Sequence, residues 1–379
     1  MNIVIAIDSF KGSISSIDAG TTVQEAILSR YPKNNVKVFP LADGGEGTVD
    51  ALTQGLGGTI IPVTVTGPLG EPVQSRYGYL PDSKTAVIEM ADAAGLAMVP
   101  AAKRNPLHTT TYGLGELIIA AMEHGCRHFI IGIGGSATND AGLGMLTALG
   151  YRFYLPDGTP SGICGKDLHG ITQIDASHCH PLLKECKFEI ACDVVNPLCG
   201  EQGCSAIYGP QKGATPEIIA KMDNDIAAFA LLAENTLGSQ GAKLPGAGAA
   251  GGLGFAFHIF LQGELTPGIE LVLKSINIEQ SLLQADILIT GEGRMDGQTA
   301  MGKAPIGIAQ LAKKCHPKCV TIGLCGCATH DAESVNDHGI DAYFPILHAP
   351  MSVTEAMDSA TTKQNLTQTI QQIMNLVHC

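Results

Sequence analysis

The chain has 379 residues, 45% hydrophobic and 16% charged, with 46 glycines and no tryptophan. That is an ordinary globular composition, long enough for two domains of roughly 150 residues each. The formal net charge is −13, from 23 basic and 36 acidic residues; with no Lys/Arg-dense segment, it argues against a nucleic-acid partner but not against an anionic substrate. No apolar stretch reaches the roughly 18 residues needed to span a bilayer. The opening run, Met1 to Asp8, reads as a strand and not as a signal peptide, because it lacks a basic start and its apolar stretch is short. A cytoplasmic protein with no membrane partner is expected. Twelve cysteines are scattered over the chain and are expected to be reduced thiols. Cys325-Gly-Cys327 and His178-Cys179-His180 have loose metal spacing, but no paired C-x2-C knuckles exist, so zinc is not expected.

Ile3 to Ile7 is the first strand, followed by the polar loop Asp8-Ser9-Phe10-Lys11 and a helix through about Arg30. Val36 to Leu41 is the second strand, ending in Ala42-Asp43-Gly44-Gly45-Glu46. Ile61 to Thr66 and Gln74 to Leu80 alternate and read as an antiparallel hairpin. Ala86 to Met90 is a further strand, and a helix covers about Tyr112 to Glu123. Phe129 to Ile131 is an apolar strand running into Gly132-Ile133-Gly134-Gly135-Ser136. A helical spacing of Leu143, Leu146 and Leu149 follows, ending at Gly150. Strand, glycine loop and helix make a candidate phosphate cradle; the same pattern also suits a tight connection with no ligand.

Tyr151 to Leu155 gives a short strand and turn. Phe188 to Cys192 is a strand leading into Asp193-Val194-Val195-Asn196-Pro197. Gly209 to Gly213 is a loop, Pro216 to Leu232 a helix, and the glycine-rich Gly246 to Gly254 a close-packed loop. Strand and helix alternate again at the end. Ile287 to Thr290 is a strand with Gly291-Glu292-Gly293-Arg294-Met295-Asp296 as its loop. Pro305 suits position N1 of a helix to Lys314. Cys319 to Leu324 and Tyr343 to Ile346 are strands, and about Lys363 to Val377 is a helix. The expected fold class is therefore α/β. Residues 1–58 and 283–379 form a Rossmann-like parallel-sheet domain built from both termini. Residues 59–282 form an inserted mixed α/β domain, with the active site in the cleft between the two.

Five polar loops carry the candidate chemistry: Asp8, Ser9 and Lys11; Asp43 and Glu46; Asp193 and Asn196; Lys212; and Glu292, Arg294, Asp296 and Lys303. A single Asp at a strand end is more often a turn former than a catalyst, but five such clusters beside glycines point to a site. Carboxylates suit Mg²⁺ shared with substrate phosphates, Lys and Arg suit a moving phosphoryl group, and a further Asp suits a hydroxyl proton. Gly297 to Ala304 nearly matches a phosphate loop but ends in Ala304, which has no hydroxyl for the metal. No complete dinucleotide fingerprint is present, which weighs against a nicotinamide enzyme.

Asp-Ser-Phe-Lys (8–11), Ala-Asp-Gly-Gly-Glu-Gly-Thr (42–48), Gly-Ile-Gly-Gly-Ser-Ala-Thr-Asn-Asp-Ala-Gly (132–142), Ala-Cys-Asp-Val (191–194), Gly-Pro-Gln-Lys-Gly-Ala (209–214) and Thr-Gly-Glu-Gly-Arg-Met-Asp (290–296) stand in this order. Together with Asn-Pro-Leu (196–198), the 246–254 stretch, Gln-Thr (298–299) and Gly-Lys-Ala-Pro (302–305), they make nearly the whole chain resemble the type 1 glycerate kinase family of bacteria. The resemblance implies phosphorylation of D-glycerate to 2-phosphoglycerate with ATP and Mg²⁺. On that basis Asp193, beside the turn-forming Asn196-Pro197, is the expected general base. Lys11 and Arg294 are expected to act in catalysis, holding the glycerate carboxylate or the moving phosphoryl group. Asp8, Ser9, Asp43 and Asn196 join them around the substrate. Gly134, Gly135, Ser136, Thr138, Asn139, Lys212 and Lys303 are expected at ATP, and Asp43, Glu292 and Asp296 at Mg²⁺. Two departures stand out: Ile7 in place of the usual proline, and Val195 where relatives often carry a polar residue. Oligomeric state is not legible, and a homo-oligomer is left open.

Overall fold

The structure is a computed structural model describing residues 1–378. The chain divides into two compact units. The terminal unit comprises Met1–Asp43, Asp50–Gly57 and the segment from Ile269 onward; the inserted unit comprises Gly44–Val49 and Gly58–Gly268. The helix Glu279–Leu282 therefore goes with the termini. The division lies at 268/269, ahead of the expected 282/283, because Leu282 is fully buried within the terminal unit.

The terminal unit is built on a five-stranded parallel sheet ordered Ala342–Pro345, Val320–Ala328, Ile287–Met295, Asn2–Ile7 and Asn35–Pro40. Its central strands read as apolar runs because both faces are covered. Helix Ser16–Arg30 starts at Ser15, whose hydroxyl accepts from the Asp18 N–H, and buries Ala19, Val23, Ala26 and Ile27 against Ile3, Ile5 and Ile7. Helix Ser359–Val377 adds Leu366, Ile370, Ile373 and Met374 to the same core. Each such aliphatic side chain contributes roughly 1.5–3 kcal/mol.

One strand is longer than the sequence suggests. Ile287–Met295 continues through Glu292 and Arg294, which the glycines made read as a loop. Pairing with Val320–Ala328 overrides those glycines: Glu292 stands opposite Cys325, and Arg294 opposite Cys327. Gly291 is required there, since a Cβ would meet the Leu324 carbonyl oxygen.

The inserted unit carries a six-stranded mixed sheet ordered Glu264–Thr266, Lys187–Ala191, His128–Gly132, Thr85–Glu89, Pro72–Leu80 and Thr59–Thr66. The last two form the expected antiparallel hairpin, with Thr66 opposite Pro72. Phe129 and Phe188 stack at 4.9 Å between ring centres in its core. Helix Pro216–Leu237 runs beyond Leu232 to a left-handed Gly238 cap. The 246–254 stretch is only partly a loop: the backbone is left-handed at Ala250, Gly251 and Gly252, then enters a helical segment ending at Leu261. That segment is buried on all sides, with Phe255 and Phe257 fully covered, so it has no polar face to betray a helical period.

Candidate active site

In the terminal unit, strand register creates an acidic cluster. Ile7 lies opposite Gly291 on one side and Pro40 on the other. The chain just past Ile7 therefore stands level with Glu292, where the sheet's carboxyl ends open a ligand position. The Asp8 N–H donates to the Gly291 carbonyl at 2.9 Å. Asp8 is 5% exposed. Burial, with the neighbouring Asp43 charge second, pushes its carboxyl up to about 7; a hydrogen bond from the Ser9 N–H at 2.7 Å and the Lys11 ammonium act against this. Glu292 is also raised, chiefly by burial, although its carboxylate accepts from the Thr299 hydroxyl at 2.6 Å. Lys11 approaches Asp43 at 3.9 Å, Arg294 approaches Asp296 at 3.4 Å and Lys303 approaches Asp296 at 3.8 Å. Two or more carboxylates that resist ionisation side by side are arranged to receive a cation or a proton.

In the inserted unit, Glu89, Gly132 and Ala191 end three adjacent parallel strands at one level. Glu89 turns back to accept from the N–H groups of Gly47 and Val49, tying that loop to the sheet. After Gly132 the chain makes a turn with Gly135 at φ +74. Among the described residues, the N–H groups of Gly134 and Gly135 find no acceptor, and both glycines are exposed. Successive unpaired N–H groups around a left-handed glycine form an anion-binding concavity.

Lys212 faces this turn. It ends the short helical turn Pro210–Lys212 and is 2% exposed. Its ammonium donates to the Ser136 hydroxyl at 2.7 Å and the Thr138 carbonyl at 2.6 Å. Burial lowers it to about 8. Gly134, Gly135, Ser136 and Lys212 line a cavity of about 250 Å³ together with Asp193 and Tyr208. The Asp193 carboxylate accepts from the Gly268 N–H at 2.8 Å.

The glycerate kinase family model matches residues 3–378. The chain belongs to the glycerate kinase family. It is 47% identical to glycerate kinase of Bacillus subtilis, over 95% of this chain and 94% of that protein. It is 45% identical to glycerate 2-kinase of Escherichia coli K12, again over 95% and 94%. A crystal structure named for glycerate kinase 2 of Salmonella typhimurium LT2 superposes with a TM-score of 0.92 at 42% identity, covering 100% of this chain and 98% of that one.

Within this family member, the structure gathers Asp8, Ser9, Lys11, Asp43, Glu292, Arg294, Asp296 and Lys303 into the terminal unit, and Gly134, Gly135, Ser136, Asp193 and Lys212 into the inserted one. Three expected contacts are redirected. Thr138 is fully buried and Asn139 is 1% exposed; the Asn139 amide donates to Ser205 at 2.9 Å, and neither residue lines the cavity. Thr138 reaches Lys212 only through its carbonyl. Asn196 closes its own loop instead, donating to the Gln202 carbonyl and accepting from the Tyr208 hydroxyl at 2.6 Å. Val195 is 76% exposed, whereas Ile7 is fully buried in its strand.

Asp296 is also committed locally, its Oδ1 accepting from the N–H groups of Gln298 and Thr299. Among the described residues, no three His, Cys, Asp or Glu side chains are grouped to hold a metal ion on their own.

Four residues escaped the sequence reading. Asp140, within the glycine motif, is fully buried and accepts from the Thr111 N–H and hydroxyl and from the N–H groups of Gly142 and Gly144. It clamps the two segments that frame the cradle, while burial raises its carboxyl. Thr299 and Glu89 anchor loops, and Tyr208 lines the cavity. Asp140 and Thr299 sit inside quoted motifs and were open to discovery; Tyr208 carries no sequence signal.

Proposed function

We propose that this protein transfers the γ-phosphoryl group of ATP to the 2-hydroxyl of D-glycerate, forming 2-phosphoglycerate and ADP. The observation that carries the reading is the pair of amides at Gly134 and Gly135, without a protein acceptor, beside the buried Lys212 ammonium, in a cavity that Asp193 also lines. Fixed N–H dipoles and one ammonium stabilise a polyphosphate without reorganising during transfer. Family membership supplies the acceptor.

In the reaction, the glycerate hydroxyl oxygen bonds to the γ-phosphorus as the bond to the bridging oxygen of ADP breaks. The hydroxyl proton passes to a carboxylate, for which Asp193 is the first candidate. Lys11 and Arg294, each with a partly exposed cationic head, hold the glycerate carboxylate or the moving group. Lys303, at the start of helix Ala304–Cys315, supplements the phosphate charges.

The terminal unit's donors suit Mg²⁺: Asp8, Asp43 and Glu292 are hard oxygen ligands, and the Asp43 charge adds to the proton affinity of Asp8 and Glu292. Asp43 and Glu292 would hold the ion with substrate phosphate oxygens completing its shell, as Mg²⁺ prefers. When bound it neutralises charge on the transferring phosphoryl group. Asp296 is the weaker candidate, because its carboxylate already serves the turn at Gln298 and Thr299.

A second reading assigns the proton to Asp8, whose carboxyl at about 7 is matched to neutral pH. A glycerate- and Mg²⁺-dependent assay with the product resolved by ³¹P NMR tests the overall proposal. A 2-phosphoglycerate resonance is expected. A 3-phosphoglycerate resonance overturns the position of transfer, and no turnover of D-glycerate overturns the activity. Asp8→Asn and Asp193→Asn, compared by kcat, separate the two proton acceptors.

A further inference from the structure

The phosphoryl transfer makes no direct use of the Asp140 carboxylate, which is fully buried two residues beyond Thr138. Four donors converge on it. Its Oδ2 accepts from the Thr111 N–H at 2.9 Å, the Thr111 hydroxyl at 2.7 Å and the Gly144 N–H at 3.2 Å, and its Oδ1 from the Gly142 N–H at 3.2 Å. Three of these are amides, which can only donate. The Thr111 hydroxyl accepts from the Met145 N–H at 2.9 Å, so its own proton is left for Asp140. A protonated acid would find no acceptor among these partners. The geometry therefore holds Asp140 as an anion, although burial raises its carboxyl.

Lys212 shows the converse. Among the described residues its buried ammonium has two neutral acceptors, the Ser136 hydroxyl and the Thr138 carbonyl. A buried charge on neutral partners alone is costly, and an opposite charge nearby offsets that cost. Burial lowers the proton affinity of Lys212; Cys204 and Asp140 act against it. Burial pushes the Cys204 thiol up to about 11, so it is uncharged at neutral pH. The neighbouring groups do not fill the role either. Tyr208 and Cys192 are raised by burial and stay neutral. Arg104, packed on Gly213, has the same sign as Lys212. Asp193 lines the same cavity but is not among the groups that raise Lys212. Asp140 remains, at the end of the segment that carries both acceptors of the ammonium.

We propose that Asp140 is a positioning residue acting through Lys212: its carboxylate is the buried counter-charge that holds the ammonium in place for the phosphates of ATP. The proposal rests on the kinase reading and deepens it, by naming what keeps the cradle's cation charged.

Calorimetry of ATP binding to the full chain, without glycerate and across a range of pH, tests it. Asp140→Asn nearly keeps the shape and removes the charge. Relative to the unaltered protein, its ATP affinity should change little near pH 6 and fall about 5-fold or more near pH 8, because Lys212 then loses its proton at lower pH. The titration of ATP itself is common to both proteins and cancels in this ratio. In a Lys212→Met background the same substitution should change ATP affinity less than about 2-fold at either pH, since no ammonium is left to act through. Equal weakening at every pH, or in both backgrounds, is the mark of a structural clamp and overturns the proposal. If Asp140→Asn alone does not fold, urea unfolding of Asp140→Asn/Lys212→Met carries the test. Removing both charges of a buried pair is tolerated better than removing one, so the double variant should be the more stable; a double variant no more stable than the single one overturns the pairing. Glycerate turnover by the unaltered protein, with a pH-independent loss in Asp140→Asn, sinks this role and spares the kinase. The pH-dependent loss in a protein that never phosphorylates glycerate keeps the Asp140–Lys212 pair and sinks the kinase reading.

Discussion

The terminal unit crowds carboxylates at the ends of its central strands, whereas the inserted unit buries a single ammonium beside bare backbone amides. Both arrangements leave a charge poorly solvated. Asp8 is pushed up to about 7 by burial and by Asp43; Lys212 is pulled down to about 8 by burial. The first therefore favours an arriving cation and the second an arriving anion. Opposite signs follow from opposite materials: side-chain carboxylates at adjacent strand ends in one case, and main-chain N–H groups at a glycine turn in the other.

The sharpest test of that contrast removes the carboxylate of the inserted unit. Asp193→Asn should lower kcat by roughly 10²–10⁴ while circular dichroism stays unchanged. Near-normal kcat in the folded variant would pass the proton role to Asp8. Next in size is the ammonium. Lys212→Met should reduce kcat/KM for ATP about 10- to 100-fold, the value of a charged hydrogen bond of about 1.5–3 kcal/mol. In the unaltered enzyme, ATP affinity should weaken as pH rises through about 8, because the ammonium is then lost; a flat titration of ATP Kd would contradict this.

The acidic cluster should instead show itself in stability. The unfolded chain releases the Asp8 proton near 3.8 and the folded chain near 7. Its contribution is therefore full below about pH 4 and disappears as pH rises to about 7. Asp8→Asn should flatten that slope and raise stability at neutral pH by roughly 1–3 kcal/mol in urea unfolding, at the expense of activity. The smallest effect is expected at Lys11, half exposed and 3.9 Å from Asp43. Lys11→Ala should change unfolding free energy by only about 0–1 kcal/mol while raising the KM for glycerate. A loss of stability well beyond that would recast Lys11 as a structural residue.

Much of this molecule was legible in one dimension. The apolar runs at Ile3–Ile7 and Phe129–Ile131, the alternation on both sides of Gly67 to Gly70 and the leucine spacing after Gly142 all name their elements, because strand and helix periods are local properties. The glycine turn at Gly134–Gly135 and the lysine after Pro210 were visible as residue types. Their meeting was not, since Lys212 and Ser136 lie far apart along the chain and only packing joins them. Glu292 and Arg294 read as loop residues until strand pairing held them extended.

The sequence alone determined the α/β class, the family and the chemical types available at the site. Only the tertiary structure decided which of those residues line the cavity and which are buried away from it. Thr138 and Asn139 share a motif with Ser136, yet they turn into the core where Ser205 and Lys212 receive them. Asp8 belongs to a plain Asp-Ser-Phe-Lys string, yet burial and the Asp43 charge alter its acidity. Side-chain direction and desolvation depend on neighbours brought from distant parts of the chain, and no local pattern encodes them.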